Sequence, residues 1–283
     1  MILVTGAAGK TGLAVIRALR NRGAVVRALV RRQEQAEALF KHGAVDVVVA
    51  DMSVPESYRR AMDGTNSVYH ICPNMHPDET LIGRIAIDAA SEIGLSHFVY
   101  HSVLHPHTEK MPHHWQKMRV EEMLFESTLS FTILQPAPYM QNILAIRDIL
   151  KKERVYRVPY PLKTRLSMVD LEDLGEAAAV VLTEPGHHGA IYEIVGVWAP
   201  NQDRIAGLIG KALGVEITAE EIPLESWRKN AENSGLGQYQ VETLLKMFDY
   251  YARFGLCGSN YLLKQLLGRN PQNLTNFIRR EFI

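Results

Sequence analysis

Thr5-Gly6-Ala7-Ala8-Gly9-Lys10-Thr11-Gly12 follows an apolar run, Met1-Ile2-Leu3-Val4, and leads into Leu13 to Leu19, which reads as a helix. Glycines permit a sharp turn and a close approach of backbone to a ligand. A helix that starts there points free N–H groups and its positive dipole end into the turn. The chemistry this suits is the holding of a pyrophosphate by Gly6, Ala8, Gly9, Lys10, Thr11 and Gly12, and the strand–turn–helix setting favours a dinucleotide. Gly9-Lys10-Thr11 also mimics the end of a nucleoside-triphosphate loop, with Val47 to Asp51 as the strand and acid that would hold its magnesium. That loop needs a glycine five positions before Gly9, where this chain has Val4, so the spacing favours the dinucleotide.

In many dinucleotide folds an acid at the end of the second strand accepts hydrogen bonds from the ribose hydroxyls. Here that strand ends Val30-Arg31-Arg32, with no acid before Glu34. Two guanidinium forks match the oxygens of a 2′-phosphate, and Lys10 would add a third charge; the other reading has both arginines solvate the strand end. The expected cofactor is NADP(H) in preference to NAD(H). Asp51, with Met52 beside it, either meets the adenine amino group or serves as a turn acid. Ile71, Cys72 and Pro73 would border the inner phosphates and ribose.

The elements that must position these groups alternate. Strands are expected at 25–30, 46–50, 67–72, 97–101 and 131–134, with Pro136 ending the last. Helices are expected at 33–42, 55–62 (capped by Ser53), 80–93 and 115–127. Such alternation implies an α/β fold, a Rossmann-type doubly wound parallel sheet. After Pro136 the alternation fails, and a smaller, discontinuous lobe is expected from residues 138–169 and 197–283. Residues 1–137 and 170–196 would form the dinucleotide domain.

Lys plus Arg balance Asp plus Glu at 31 each, which gives no net field to draw the chain to nucleic acid or an anionic membrane. No apolar run reaches membrane-spanning length, and a cytoplasmic protein with two buried thiols, Cys72 and Cys257, is expected.

As a set, these pieces resemble the NmrA-like family of atypical short-chain dehydrogenase/reductase relatives. To the turn, Val26 to Arg31 and Ala50-Asp51 are added His97-Phe98-Val99-Tyr100-His101-Ser102, His113-His114-Trp115-Gln116-Lys117 with Glu121-Glu122, and Phe131 to Pro136 with Tyr139-Met140-Gln141-Asn142. Val169 to Gly175 fits the return to the core, and the likeness spans residues 1 to about 196. The resemblance implies an NADP-binding core and a small substrate lobe. Related enzymes use Ser, Tyr and Lys, the Tyr four positions before the Lys; here that position is His113, so alcohol–ketone chemistry is in doubt.

Positions four apart share a helix face, so His113 and Lys117 can address one pocket. Lys117 would meet the nicotinamide ribose or else be a solvated helix lysine. His113 is a candidate proton donor, and Ser102 would orient a carbonyl or quinone oxygen. Pro136 and Tyr139 would lie beside the cofactor. Tyr139, Met140 and Asn142 suit a flat apolar substrate, although packing between lobes is an equal reading for Met140. Six histidines between His97 and His114 are expected to be surface loop residues, with no metal. Two functions remain open: an NAD(P)H-dependent reductase of a small aromatic, quinone-like or carbonyl substrate, and a silent redox-sensing regulator. A small-molecule substrate is the expected partner, and a homodimer or a regulatory protein partner stays open.

Overall fold

Ile2–Val4 is fully apolar and buried, as a central parallel strand must be. In the computed structural model, which describes residues 1–283, it is β1 of a seven-stranded sheet. The other strands are β2 (Val26–Val30), β3 (Asp46–Val49), β4 (Ser67–His70), β5 (His97–His101), β6 (Phe131–Pro136) and β8 (Ile191–Ile194). Their order is β3-β2-β1-β4-β5-β6-β8, and every pairing is parallel. The order reverses between β1 and β4. In open α/β sheets, ligands bind at such a reversal, beyond the carboxyl ends of the strands.

The helices of this sheet are α1 (Lys10–Asn21), α2 (Ala36–His42), α3 (Pro55–Met62), α4 (Glu79–Glu92), α5 (Pro112–Phe125) and α7 (Leu171–Thr183). Gly175 lets α7 press on α1: a Cβ there would lie 2.7 Å from the Ala14 carbonyl oxygen. Tyr58, Tyr100, Phe98 and Met62 fill one side of the sheet.

The chain divides into two compact units. The first comprises Met1–His107, His114–Pro136 and Leu171–Ile194; the second comprises Thr108–His113, Ala137–Asp170 and Val195–Ile283. The second unit pairs β7 (Val155–Val158) with β9 (Thr218–Glu221) in parallel. Its helices include α6 (Arg147–Glu153), α8 (Gln202–Leu213), α9 (Leu224–Asn233), α10 (Gln238–Phe254), α11 (Tyr261–Leu267) and α12 (Leu274–Phe282). Met140, Ile143, Leu150, Ile205, Ile209, Phe277 and Ile278 form its core. No helix is long and apolar enough to cross a membrane.

Candidate cofactor site at the sheet reversal

Thr5 fastens the reversal. Its Oγ1 donates to the Ile71 carbonyl at 2.9 Å and accepts from the Ile71 amide at 2.7 Å, tying the end of β1 to the end of β4. Nothing in the sequence marks this residue, since a threonine opening a glycine turn carries no separate signal. Gly6 has φ +57°, and the Gly9 amide donates to its carbonyl at 3.0 Å, closing the turn. Gly12 sits where a Cβ would come within 2.5 Å of the Gly6 oxygen and 2.7 Å of the Ala7 Cα, so only glycine lets α1 start this close to the turn. A Cβ at Gly9 would meet only the Gly6 oxygen, at 3.2 Å. Ala8, Gly9 and Lys10 are exposed, and Thr11 is half-buried. The turn surface is therefore open, faced by the first amides of α1.

The parallel strands bring their other ends to the same edge. Arg31 and Arg32 follow β2 directly, both exposed, and the next acid along the chain is Glu34. Asp51 follows β3 and is exposed, but its Oδ1 accepts from the Ser53 amide at 2.9 Å and the Ser53 hydroxyl at 2.6 Å. These bonds, with Arg31 and His76 nearby, hold its carboxyl below the usual range. Asp51 is thus built as a turn acid, and Ser53 serves it rather than capping α3, whose N-cap is Val54. Met52 is a correction: its side chain is buried in the sheet core with Tyr58 and Leu29. Ile71 and Pro73 are half-buried at the end of β4, while Cys72 is buried. Burial first, then the negative Glu79, pushes the Cys72 thiol up. The expectation of two buried thiols fails for Cys257, which is exposed.

Beneath this edge lies a polar network that sequence spacing did not reveal. Lys117 Nζ donates to Glu79 Oε1 at 2.9 Å and to the His101 carbonyl at 3.0 Å, and the lysine is 4 % exposed. The solvated-lysine reading is therefore wrong. Two of its three N–H donors are used by these contacts. Tyr100 Oη also donates to Glu79 Oε1, at 3.0 Å. Glu79 occupies a place on α4 where the helical period puts an apolar residue, in line with Ile82 and Ala86; a carboxylate there was the available signal. Ser102, buried after β5, donates its hydroxyl to Glu121, whose carboxylate also accepts from Gln135 Nε2 at 3.0 Å on each oxygen. Burial raises the Glu121 carboxyl despite these bonds.

Several histidines are interior groups, correcting the surface-loop expectation. His97, His101 and His114 are buried. Burial, with the Lys117 charge adding, lowers His101 well below the ordinary imidazole range. His70, beside the Tyr58 hydroxyl at 2.8 Å, falls to about 3 for the same two reasons. No group of three or more His, Cys, Asp or Glu is placed to hold a metal.

Pro136 is buried at the end of β6. In the second unit, Tyr139 is half-buried and bridged to Val169, Asn142 is exposed, and His113 is half-buried. Met140 is corrected: it is fully buried in that unit's own core, so its thioether forms no pocket wall.

The family model for the NmrA-like family matches residues 1–278. The chain belongs to the NmrA-like family. The match runs well past residue 196, where the sequence motifs stopped. This NmrA-like chain is 25% identical over 281 residues to an NAD(P)H azoreductase of Xenophilus azovorans, covering 99% of this chain and 97% of that one. It is likewise 25% identical over 284 residues to quinone oxidoreductase 2 of Escherichia coli (strain K12), covering 100% and 99%. Among solved structures, an NADPH-dependent quinone oxidoreductase from Escherichia coli complexed with NADPH superposes with a TM-score of 0.88 at 25% identity over 100% of both chains. The doubly wound α/β fold expected from the alternating elements is the fold observed.

Proposed function

We propose that this chain is an NAD(P)H-dependent reductase, preferring NADPH, that delivers hydride to a small aromatic acceptor of the quinone or azo class, or to a related carbonyl. The observation that carries this reading is the sheet reversal, with an open glycine turn after β1 and two exposed arginines directly after β2, where the chain has no acid before Glu34. The turn fits a diphosphate, because Gly6, Gly9 and Gly12 keep side chains off it and the first amides of α1 have no partner within the helix. Arg31, Arg32 and Lys10 fit an extra ribose phosphate. Full-length relatives named for azo and quinone reduction support the reductase reading over the silent regulator.

When bound, the nicotinamide supplies the hydride. The chain's own task is to orient and to manage a proton. Lys117, held by Glu79 and the His101 carbonyl, retains one N–H for a ribose hydroxyl. Ser102, turned by Glu121, can still accept a hydrogen bond. His113 is the proton donor in this reading, and Tyr139 and Asn142 are the substrate contacts.

The test is NADPH oxidation, followed by absorbance, against a panel of quinones, azo dyes, triphenylmethane dyes and carbonyls. Turnover of at least one quinone or azo compound is expected. No oxidation above background across the panel would refute the reading, and cofactor-dependent association with another protein would then favour the regulator.

A further inference from the structure

α10 has two faces with different duties. Val241, Thr243, Met247 and Tyr251 point into the second unit and are buried. Lys246, Tyr250 and Phe254, four residues apart, form an outward stripe that this core does not use. The Tyr250 and Phe254 rings lie 4.8 Å apart at 44°, and Phe254 is 62% exposed. The stripe forms one wall of a groove of about 630 Å³ whose other wall is Lys110 and Pro112, all within the second unit. That volume falls inside the roughly 300–1,000 Å³ range of small-molecule clefts.

The charges along the groove are unequal in kind. Arg253 is paired with Asp249 at 3.0 Å. Lys110 and Lys246, by contrast, are in no ion pair within 4 Å. Lys246 does lie close enough to Glu242, one turn back on α10, to add to Arg228 in lowering its carboxyl. Glu109 is the one other acid in the lining. Three cations thus face two carboxylates, one of them already engaged. An aromatic pair that reaches the surface, beside two ammonium groups outside any close ion pair, complements a flat ring system that carries a negative charge. We propose that this groove is a binding site for a planar aromatic anion, two or three fused rings bearing a sulfonate or carboxylate. The rings would lie on Tyr250 and Phe254 over Pro112 and Leu245, and the anionic group would sit between Lys110 and Lys246. The proposal stands on the groove alone and does not require hydride transfer.

The test is calorimetric titration of the full chain, without NADPH, with anthraquinone-2-sulfonate and with its neutral 2-hydroxymethyl analogue. One saturable site is expected, with the sulfonate bound about tenfold more tightly, the sum of two favourable surface ion pairs. The K110E/K246E double variant should abolish that preference while leaving the neutral compound bound. Tyr250→Ala should weaken both compounds about tenfold through the lost ring face. Lys110 and Lys246 are exposed and Tyr250 is half-buried, so the fold of each variant is to be checked by circular dichroism. No saturable binding, equal affinity for the two compounds, or a preference that survives K110E/K246E would overturn the proposal. A concentration-dependent dimer that Tyr250→Ala dissolves would also overturn it, by assigning the groove to a second copy. Turnover is a separate readout: quinone reduction without lysine-dependent binding leaves the reductase reading intact, and binding without turnover leaves this one.

Discussion

Lys117 Nζ lies 2.9 Å from Glu79 Oε1, and the two side chains are 5% and 1% exposed. A buried ion pair of this kind is costly to break from one side, because the remaining charge stays uncompensated. Lys117→Ala should lower unfolding stability by about 3–5 kcal/mol in urea melts. The double variant Lys117→Met with Glu79→Leu should recover most of that loss. A fully stable single Lys117→Ala variant would contradict the pairing.

Gly9 and Gly12 separate binding from folding. An added Cβ at Gly12 meets backbone at 2.5 Å, so Gly12→Ala should cost about 1–3 kcal/mol of stability together with cofactor affinity. At Gly9 the nearest atom is 3.2 Å away and φ is −80°, which alanine adopts. Gly9→Ala should cost clearly less stability than Gly12→Ala and still lose about tenfold or more in NADPH affinity, because its methyl group enters the diphosphate surface. Equal effects on both properties in both variants would contradict this.

In the second unit, Arg280 grips the fully buried Asp170 with Nη1 at 2.9 Å and Nη2 at 3.2 Å, and Gln141 Nε2 adds a bond at 2.8 Å. Arg280 is itself 31% exposed, so solvent screens part of the pair. Arg280→Ala should cost about 2–3 kcal/mol by chemical denaturation, whereas Arg279→Ala, at an exposed position, should be near neutral.

His70 and His114 fall to about 3 and about 4, each chiefly through burial. Both are depressed below the unfolded imidazole near 6.5, so the unfolded chain binds more protons in acid. Their contribution is complete above about pH 6.5 and is lost as pH falls toward 4 and 3. Across that window each costs about 1.4 kcal/mol per pH unit. Urea midpoints should therefore drop steeply from pH 6.5 to 5 and stay flat from 7 to 8. His70→Phe should make the acid limb shallower by one group's share, the other buried histidines keeping the rest.

The legible parts of the fold were those with strong local pattern. Val47-Val48-Val49 and Phe98-Val99-Tyr100 are short apolar runs, and they form the strands Asp46–Val49 and His97–His101. Thr218–Glu221 has no strand signature, because Thr-Ala-Glu-Glu has no apolar run and three of its four residues are exposed; pairing with Val155–Val158 makes it a strand. Ahead of α6 the chain runs as a 3-10 stretch, Met140–Ile146, with Met140 and Ile143 anchored in the core. At the site, the turn was readable because glycine reports a local backbone demand. The partners of Lys117 and Ser102 were not, since Glu79 is 38 residues from the lysine and Glu121 is 19 from the serine. No local rule links residues so far apart.

The central claim is that the glycine turn takes a dinucleotide diphosphate while Arg31 and Arg32 select the extra phosphate. Calorimetric titration with NADPH and NADH, on the parent and on Arg31→Ala/Arg32→Ala, addresses it directly. The parent should bind NADPH at least about tenfold more tightly, and the double variant should lose that margin with NADH affinity unchanged. Equal or tighter NADH binding by the parent, or a margin that survives removal of both arginines, would contradict it.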